Sequence, residues 1–447
     1  MTIHETARTD SITRPRYVCA IGAMYSAIAI PRVMPIAQCG PGCVDKQYAG
    51  LAYINGHQGA GYAGGASPPC VNTGEKEVVF GGNERLRDLI QATLKVMDAD
   101  LFVVTTGCIS DIVGDDVQSV VGEFQRRNVP IVYAETGGFK GNNFTGHETI
   151  VDAIIDQFLG DYDGEKEAGL VNVWTVLPYH NTFWRGDLAE IKRILEGIGL
   201  KVNILFGYRS GGVEEWKTVP KAQFNLVLHT WLGLSTAKHL EKKYGQPFLH
   251  VPVIPIGSIE TTRFLREVAE FAGVDKAAAE RFIEREEEEY YAYMDNFSDF
   301  YSEYFLGIPS LFAVVADSAY ALAINKFLGN QLGLIPVKVI ITEDPPEEHR
   351  EAIKGEFRNI APDISLEAEF IEDSYVIDQQ IRALPRKPAM LLGSTWDNDL
   401  AKEINSGIVE VGYPVSREVI LNRGYVGYRG TLSLIEALFT AVVRRIP

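Results

Sequence analysis

The chain has 447 residues, enough for about three domains of ordinary size. Hydrophobic residues make up 46% and charged residues 23%, the balance of a packed globular protein, not of a disordered or fibrous one. With 42 Lys+Arg against 59 Asp+Glu the net charge is −17, which excludes general binding to phosphate backbones and anionic lipid surfaces.

Residues 1–17 are polar and charged, with no apolar core or small-residue cleavage site, so they read as an exposed arm and not a secretory leader. No stretch reaches the roughly 18 uninterrupted apolar residues of a membrane span. These features predict a cytoplasmic, reduced protein, in which an odd count of five cysteines argues against a disulfide framework. From Tyr17 to Pro69 glycine and small residues dominate, as in CGPGC and GHQGAGYAGGASPP; such a segment stays loose or lets the backbone approach something closely. NERLRDLIQATLKVM predicts a helix with Leu86, Leu89, Ile90 and Leu94 on one face. DLFVVTTGC reads as a buried strand ending at Cys108, followed by a helix over 115–127 and a strand over 129–134.

The alternation restarts at Leu170. LVNVWTVLPY, LKVNILF, FNLVLHTW and FLHVPVIP read as strands, and LAEIKRILEGIG and STAKHLEKKYG as helices. Residues 275–305 are acidic, but interleaved Tyr and Phe predict a helix with one packed and one solvated face. SLFAVVAD, SAYALAINKFLGNQLG and PVKVIITED make a further strand–helix–strand unit. PAMLLGST, a loop-rich stretch and the helix LSLIEALFTAVV follow. The fold class this predicts is α/β: three Rossmann-like domains with parallel sheets flanked by helices, over residues 1–165, 166–305 and 306–447.

All five cysteines lie within the first 108 residues. Cys19, Cys43 and Cys108 sit at predicted loop and strand ends, without the paired CxxC spacing of a zinc finger. Iron–sulfur clusters accept thiolates from distant loops, so a shared cluster is open, alongside buried cysteines acting as small hydrophobes. Cys39 and Cys43 form a CxxxC pair with no second pair to complete a metal clip. Three ligands are one short of a usual cluster set, which points to an oligomer whose partner completes the site. His147 and His180 follow strand-like segments and either face an interface or are hydrogen-bonded loop histidines. Asp115 and Asp116 precede a helix, where carboxylates cap. No GxxxxGK[ST] or GxSxG motif is present, so neither a P-loop nor a nucleophile elbow is expected.

YVCAIGA, CGPGCV, EVVFGGNERLRD, TTGCISDIVGDD, LLGSTW and VEVGYPVSREVILNRGYVGYRGTLSLIEAL occur in this order over nearly the full length. In this the chain resembles the β-like subunit of the nitrogenase component 1 family. The resemblance implies that Cys19, Cys43 and Cys108 are three thiolates of a P-cluster, an eight-iron, seven-sulfur group shared with an α-like chain in an α2β2 heterotetramer. That group relays electrons from an ATP-dependent iron-protein reductase to a cofactor in the α-like chain. No cysteine follows Cys108, which implies that the active-site cofactor belongs to the partner. Cys70 matches a position outside the ligand set, and Cys39 one that is often polar; both read as structural residues or supports of the ligands, bystanders to the cluster itself. Phe80 matches an aromatic of the reductase-docking face, with a core aromatic in a strand as the other reading.

Two departures stand out. The serine that can bind the oxidised cluster in β chains falls near Gly138, and the segment after Cys43, around Lys46, lacks an expected aromatic, with Tyr48 nearby. The glycine-rich stretch 52–67 also departs from the β-chain pattern. These features favour a nitrogenase-like reductase, with methylthio-alkane reductase as the branch leaned towards; an alternative nitrogenase and a cofactor-assembly scaffold are the other readings.

Overall fold

In the computed structural model, residues 12–59, 68–303 and 310–445 are described. Among these residues twelve strands form three separate sheets, each drawn from a continuous stretch of chain, and within the sheets the strands pair in parallel. The first holds β1 (Val33–Gln38), β2 (Leu101–Thr106) and β3 (Ile131–Ala134) in the order β1-β2-β3. The second holds β4 (Glu167–Trp174), β5 (Lys201–Asn203), β6 (Ala222–Val227) and β7 (Phe248–His250), ordered β5-β4-β6-β7. The third holds β8 (Leu311–Ala316), β9 (Ile335–Ile341), β10 (Glu369–Phe370), β11 (Met390–Gly393) and β12 (Gly407–Glu410), ordered β10-β9-β8-β11-β12. This is the α/β class that the alternating pattern predicts. β1 and β2 are buried at every position, because parallel strands are covered by helices on both faces.

The helix Asn83–Val96 buries Leu86 and Ile90 completely, each contributing about 1.5–3 kcal/mol of apolar transfer. The long acidic helix runs over Lys276–Glu303 and packs Phe282, Ile283 and Tyr290 inward, as its aromatic spacing requires. Its Glu286 is buried but paired with Arg193 at 2.6 Å.

Several local readings are corrected. The glycine-rich stretch after Tyr17 carries β1 and a helix, Pro41–Tyr53, with Pro41 pre-set for its first turn. Residues 60–67 of the 52–67 insert, and 1–11 of the arm, lie outside the described residues. EVVF is helical, Glu75–Phe80, not a strand. The Glu77 carboxylate accepts the Gly74 N–H at 2.9 Å at its start, and Gly81, at φ +84°, ends it. A helix at Asn143–Gln157 goes unread in the sequence, although Asn142 caps it by accepting from the Phe144 and Thr145 amides at 3.0 and 3.3 Å. β12 likewise lies in the stretch read as loop-rich.

Polar ties join the sheets. Arg16, 1% exposed, forks onto Asp397 at 2.5 and 2.6 Å and donates to Ser394 Oγ at 3.0 Å, fastening the N-terminal segment to the end of β11. Asp187 accepts from the Tyr425 and Val426 amides at 2.8 and 3.2 Å and from the Tyr320 hydroxyl. Asn181 donates to Asp317 at 3.0 Å, linking the second and third sheets. Asp317, just after β8, and Glu343, just after β9, are both buried. The Glu343 carboxylate accepts the Ser318 amide on both oxygens at 2.9 Å. Burial first and the Asp317 charge second push the Glu343 carboxyl from 4.5 up to about 8.

These ties can be tested by substitution. Arg16→Met strands a buried carboxylate and costs about 3–5 kcal/mol in chemical denaturation. For Glu343 the folded state holds its proton more tightly than the unfolded chain does, so stability falls as pH rises from about 4.5 towards 8. Glu343→Gln should remove that slope, on the order of 1 kcal/mol per pH unit, from a series of thermal melts.

Candidate functional site

Parallel strands β1, β2 and β3 send their carboxyl ends to one edge of the first sheet, the edge where such sheets hold ligands. The register pairs Gln38 with Thr106, so Cys39 and Gly107 emerge side by side. A Cβ on Gly107 would meet the Cys39 Cβ at 2.6 Å, so only glycine fits there. Cys108 opens the helix Cys108–Val113, and Cys43 lies in the first turn of the helix Pro41–Tyr53. Both cysteines therefore stand at helix starts, where the sequence reading places Cys43 in a glycine-flanked loop and Cys108 at a strand end.

Cys19 reaches the same edge from the N-terminal segment. It precedes a short 3-10 helix, Ala20–Ala23, and pairs as an isolated bridge with Asn142 beyond β3. Ala20 N donates to Gly141 O at 3.0 Å, Asn143 N to Val18 O at 2.8 Å, and Val18 N to Asn143 Oδ1 at 3.1 Å. These bonds set the segment against the loop that carries Gly138.

Gly138 is the point where two of the cysteines converge. Its amide donates to Cys108 Sγ at 3.1 Å. A Cβ there would lie 3.0 Å from Cys108 Sγ, 3.2 Å from Cys19 Cβ and 3.6 Å from Cys19 Sγ. Cys19, Cys43 and Cys70 also flank one apolar nest of Ile21, Met24, Ala37, Cys39 and Val44. Among the described residues no group of three or more His, Cys, Asp or Glu side chains is close enough to hold a single metal ion.

The electrostatics differ thiol by thiol. Hydrogen bonds to Cys43 and Cys70, then burial, push Cys39 well up, so it keeps its proton. The bond from Cys39 pushes Cys43 down to about 6 against the opposing effect of burial, with the Lys46 charge assisting. The same kind of bond brings Cys70 down to about 7. Burial raises Cys19, with Lys46 and the Ile21 amide opposing. Cys108 is exposed. Cys39, in contact with Cys70 at 3.8 Å and acting on the Cys43 thiol, thus supports the cysteine edge from outside the three-thiolate set. The CxxxC spacing was the signal that could have shown this.

Other candidates resolve clearly. Phe80 is 82% exposed, which excludes the core-aromatic reading. Val79 and Ile112 stand exposed on the neighbouring surface. Asp116 caps the helix Val117–Gln125 through the Ser119 amide at 2.9 Å. Asp115 instead accepts from the Gln38 side chain at 2.6 Å and the Gly82 amide at 2.7 Å. His147 and His180 are buried inside the chain, not on an interface. His147 bonds Ser26 Oγ at 2.7 Å, His180 stacks on Tyr413, and burial pushes both down to about 3. They are neutral.

Residues 19–443 match the family described as Nitrogenase component 1 type Oxidoreductase. The chain belongs to the nitrogenase component 1 family. It is 25% identical over 475 residues to the nitrogenase molybdenum-iron protein beta chain of Methanococcus maripaludis, covering 98% of this chain and 96% of that one. It is 24% identical over 384 residues to a light-independent protochlorophyllide reductase subunit from Angiopteris evecta, covering 81% and 71%. A solved structure titled Nitrogenase Cp1 at pH 6.5 shares the fold, with a TM-score of 0.81 at 22% identity, covering 99% of this chain and 96% of that chain. The protein is a β-type component 1 oxidoreductase subunit. No helix among its described residues is long and apolar enough to cross a membrane.

Gly138→Ala puts a methyl group against Cys108 Sγ. Alkylation of Cys108 by iodoacetamide, read by mass spectrometry against Cys70 as internal reference, should slow several-fold with the melting temperature little changed.

Proposed function

We propose that this β-type subunit carries one half of a P-cluster site, with Cys19, Cys43 and Cys108 as its three thiolates. Reductive electron relay follows from that reading. The observation that carries it is the convergence of Cys19 and Cys108 on Gly138, at a sheet edge that also presents Cys43. Thiolates are the donors iron–sulfur groups take, and a set split over three separate segments of the chain suits a cluster completed by a second chain. The α-like partner supplies the other thiolates in an α2β2 heterotetramer and holds the active-site iron–sulfur cofactor. When bound, the cluster stores electrons and passes them on.

This chain's own residues have definite parts in that arrangement. Cys43 is poised as a thiolate by the Cys39 hydrogen bond and by Lys46. The Gly138 amide donates to the Cys108 sulfur, a contact that favours negative charge on it. Ile21, Met24, Ala37 and Val44 keep water from the inner side. The ATP-dependent iron-protein reductase docks where the exposed apolar side chains Val79, Phe80 and Ile112 stand on the adjacent helices Glu75–Phe80 and Cys108–Val113.

The finer reading is a nitrogenase-like reductase cleaving C–S bonds of small methylthio compounds. It is supported by two departures from the β-chain pattern: glycine at 138, where β chains carry a ligand-capable serine, and the glycine-rich stretch 52–67. The protein functions in the cytoplasm, in three domains split near residues 165 and 305.

The test is co-expression with the α-type partner under anaerobic conditions. Cys19→Ala, Cys43→Ala and Cys108→Ala should each lower iron per complex and abolish reductase- and ATP-dependent turnover. Unchanged iron in all three variants would sink the ligand assignment. Product analysis with methylthio compounds and dinitrogen then separates the branches. Cluster-loaded complex with no turnover on any substrate would point to an assembly scaffold.

A further inference from the structure

Cys39 and Cys70 fall outside the three-thiolate set, and they touch each other. Cys39 directly follows β1 and is 1% exposed, whereas Cys70 is only half-buried. The segment carrying Cys70 runs parallel to the end of β1, bridged at Ala37 and Cys70. Ala37 N donates to Pro69 O at 2.8 Å, Val71 N to Ala37 O at 2.9 Å, and Thr73 N to Cys39 O at 3.1 Å, so the register is locked. The two sulfurs lie 3.8 Å apart. The Cys70 sulfur also lies 3.4 Å from the Cys39 carbonyl oxygen and 3.4 Å from the Asn72 amide, which hold it facing Cys39.

The bridge sets Cys70 opposite Ala37, so Cys39 is its diagonal neighbour, and it is the direct contact of the two sulfurs that brings a disulfide within reach. Cys39 has a second thiol neighbour in Cys43, which shares its hydrogen bonds. An oxidised Cys39 therefore has two possible partners, and pairing with Cys43 would consume a proposed iron ligand.

We propose that Cys39 and Cys70 form a reversible disulfide in the cluster-free chain, and that this pairing keeps Cys43 free. The oxidant is a low-molecular-weight disulfide, RSSR. The more accessible Cys70 thiolate attacks one of its sulfurs, the RS–SR bond breaks, and RS⁻ leaves and takes up a proton. Cys39, giving up its proton, attacks the Cys70 sulfur of the mixed disulfide and releases the second RS⁻. Two protein thiols lose two electrons and two protons, and RSSR becomes two RSH. What Cys43 is kept free for rests on the cluster reading above; the pairing itself does not.

The experiment uses the full cluster-free chain and no iron, so its failure is distinct from a failure of the cluster assignment. The chain is incubated with glutathione disulfide without oxygen, its remaining thiols are alkylated, and it is digested with trypsin without reduction. Cleavage after Lys46 separates residues 33–46, which hold Cys39 and Cys43, from residues 47–76, which hold Cys70. The expected product is these two peptides joined through Cys39 and Cys70, with Cys43 alkylated and the link lost on adding dithiothreitol. Exposed Cys108 serves as the control that carries a glutathione adduct. In a Cys70→Ser variant whose circular dichroism matches wild type, Cys43 alkylation should fall several-fold as Cys39 turns to Cys43. A Cys39–Cys43 loop in the wild type, or Cys39 and Cys70 both still alkylated, would overturn the proposal. Unchanged Cys43 alkylation in Cys70→Ser would overturn its protective half.

Discussion

Everything at the cysteine edge depends on the parallel pairing of β1 with β2 and β2 with β3. Parallel strands point their carboxyl ends the same way, so residues far apart in sequence must leave the sheet together. Cys39 and Cys43 leave from β1, Cys108 from β2, and Gly138 from the loop after β3. A shift of β1 against β2 by one residue would turn buried Ile36 to the face opposite its partner Val104 and move Cys39 away from Gly107. The register is therefore held by the buried faces of the strands, and the thiols inherit their positions from it.

The N-terminal segment is the second requirement. Cys19 belongs to no strand of the sheet, yet it lies against Gly138 because Val18, Ala20 and Asn143 exchange backbone and side-chain hydrogen bonds. The same segment is pinned at Arg16 to Asp397, in the turn that follows β11 of the third sheet. A cysteine of the first sheet's edge is thus held partly by a buried ion pair at the far end of the sequence. The carboxyl ends of the second and third sheets meet elsewhere, around Asn181, Asp187, Asp317 and Glu343. That region is filled by buried groups, several of them bonded to one another, and the neighbouring His180 is kept neutral by burial.

Long periodic segments were legible in the sequence because burial imposes its period on them. Asn83–Val96 and Lys276–Glu303 repeat apolar residues at helical spacing, and LFVVTT is a continuous apolar run that suits a strand covered on both faces. EVVF left two readings open, an exposed surface or a core strand, for a related reason. Its apolar residues are exposed on the surface of a short helix, so they report a surface and not a core. The helix Asn143–Gln157 was missed although its cap, Asn142, was in plain view; glycine and polar residues in its first turns hide the period.

The sequence by itself determined the α/β class, the confinement of the cysteines to one part of the chain, and the motif order that marks the component 1 family. These are properties of residue type and spacing, which need no knowledge of what lies beside what. Only the tertiary structure decided that Cys19 and Cys108 meet at Gly138 and that Cys39 joins Cys43 to Cys70. Contacts between residues tens of positions apart are set by strand register and by buried hydrogen bonds, and neither leaves a local signature in the chain. CGPGC shows the division most plainly. Its spacing suggested a pair, Cys39 with Cys43, and the fold supplied the third member from 27 residues beyond Cys43.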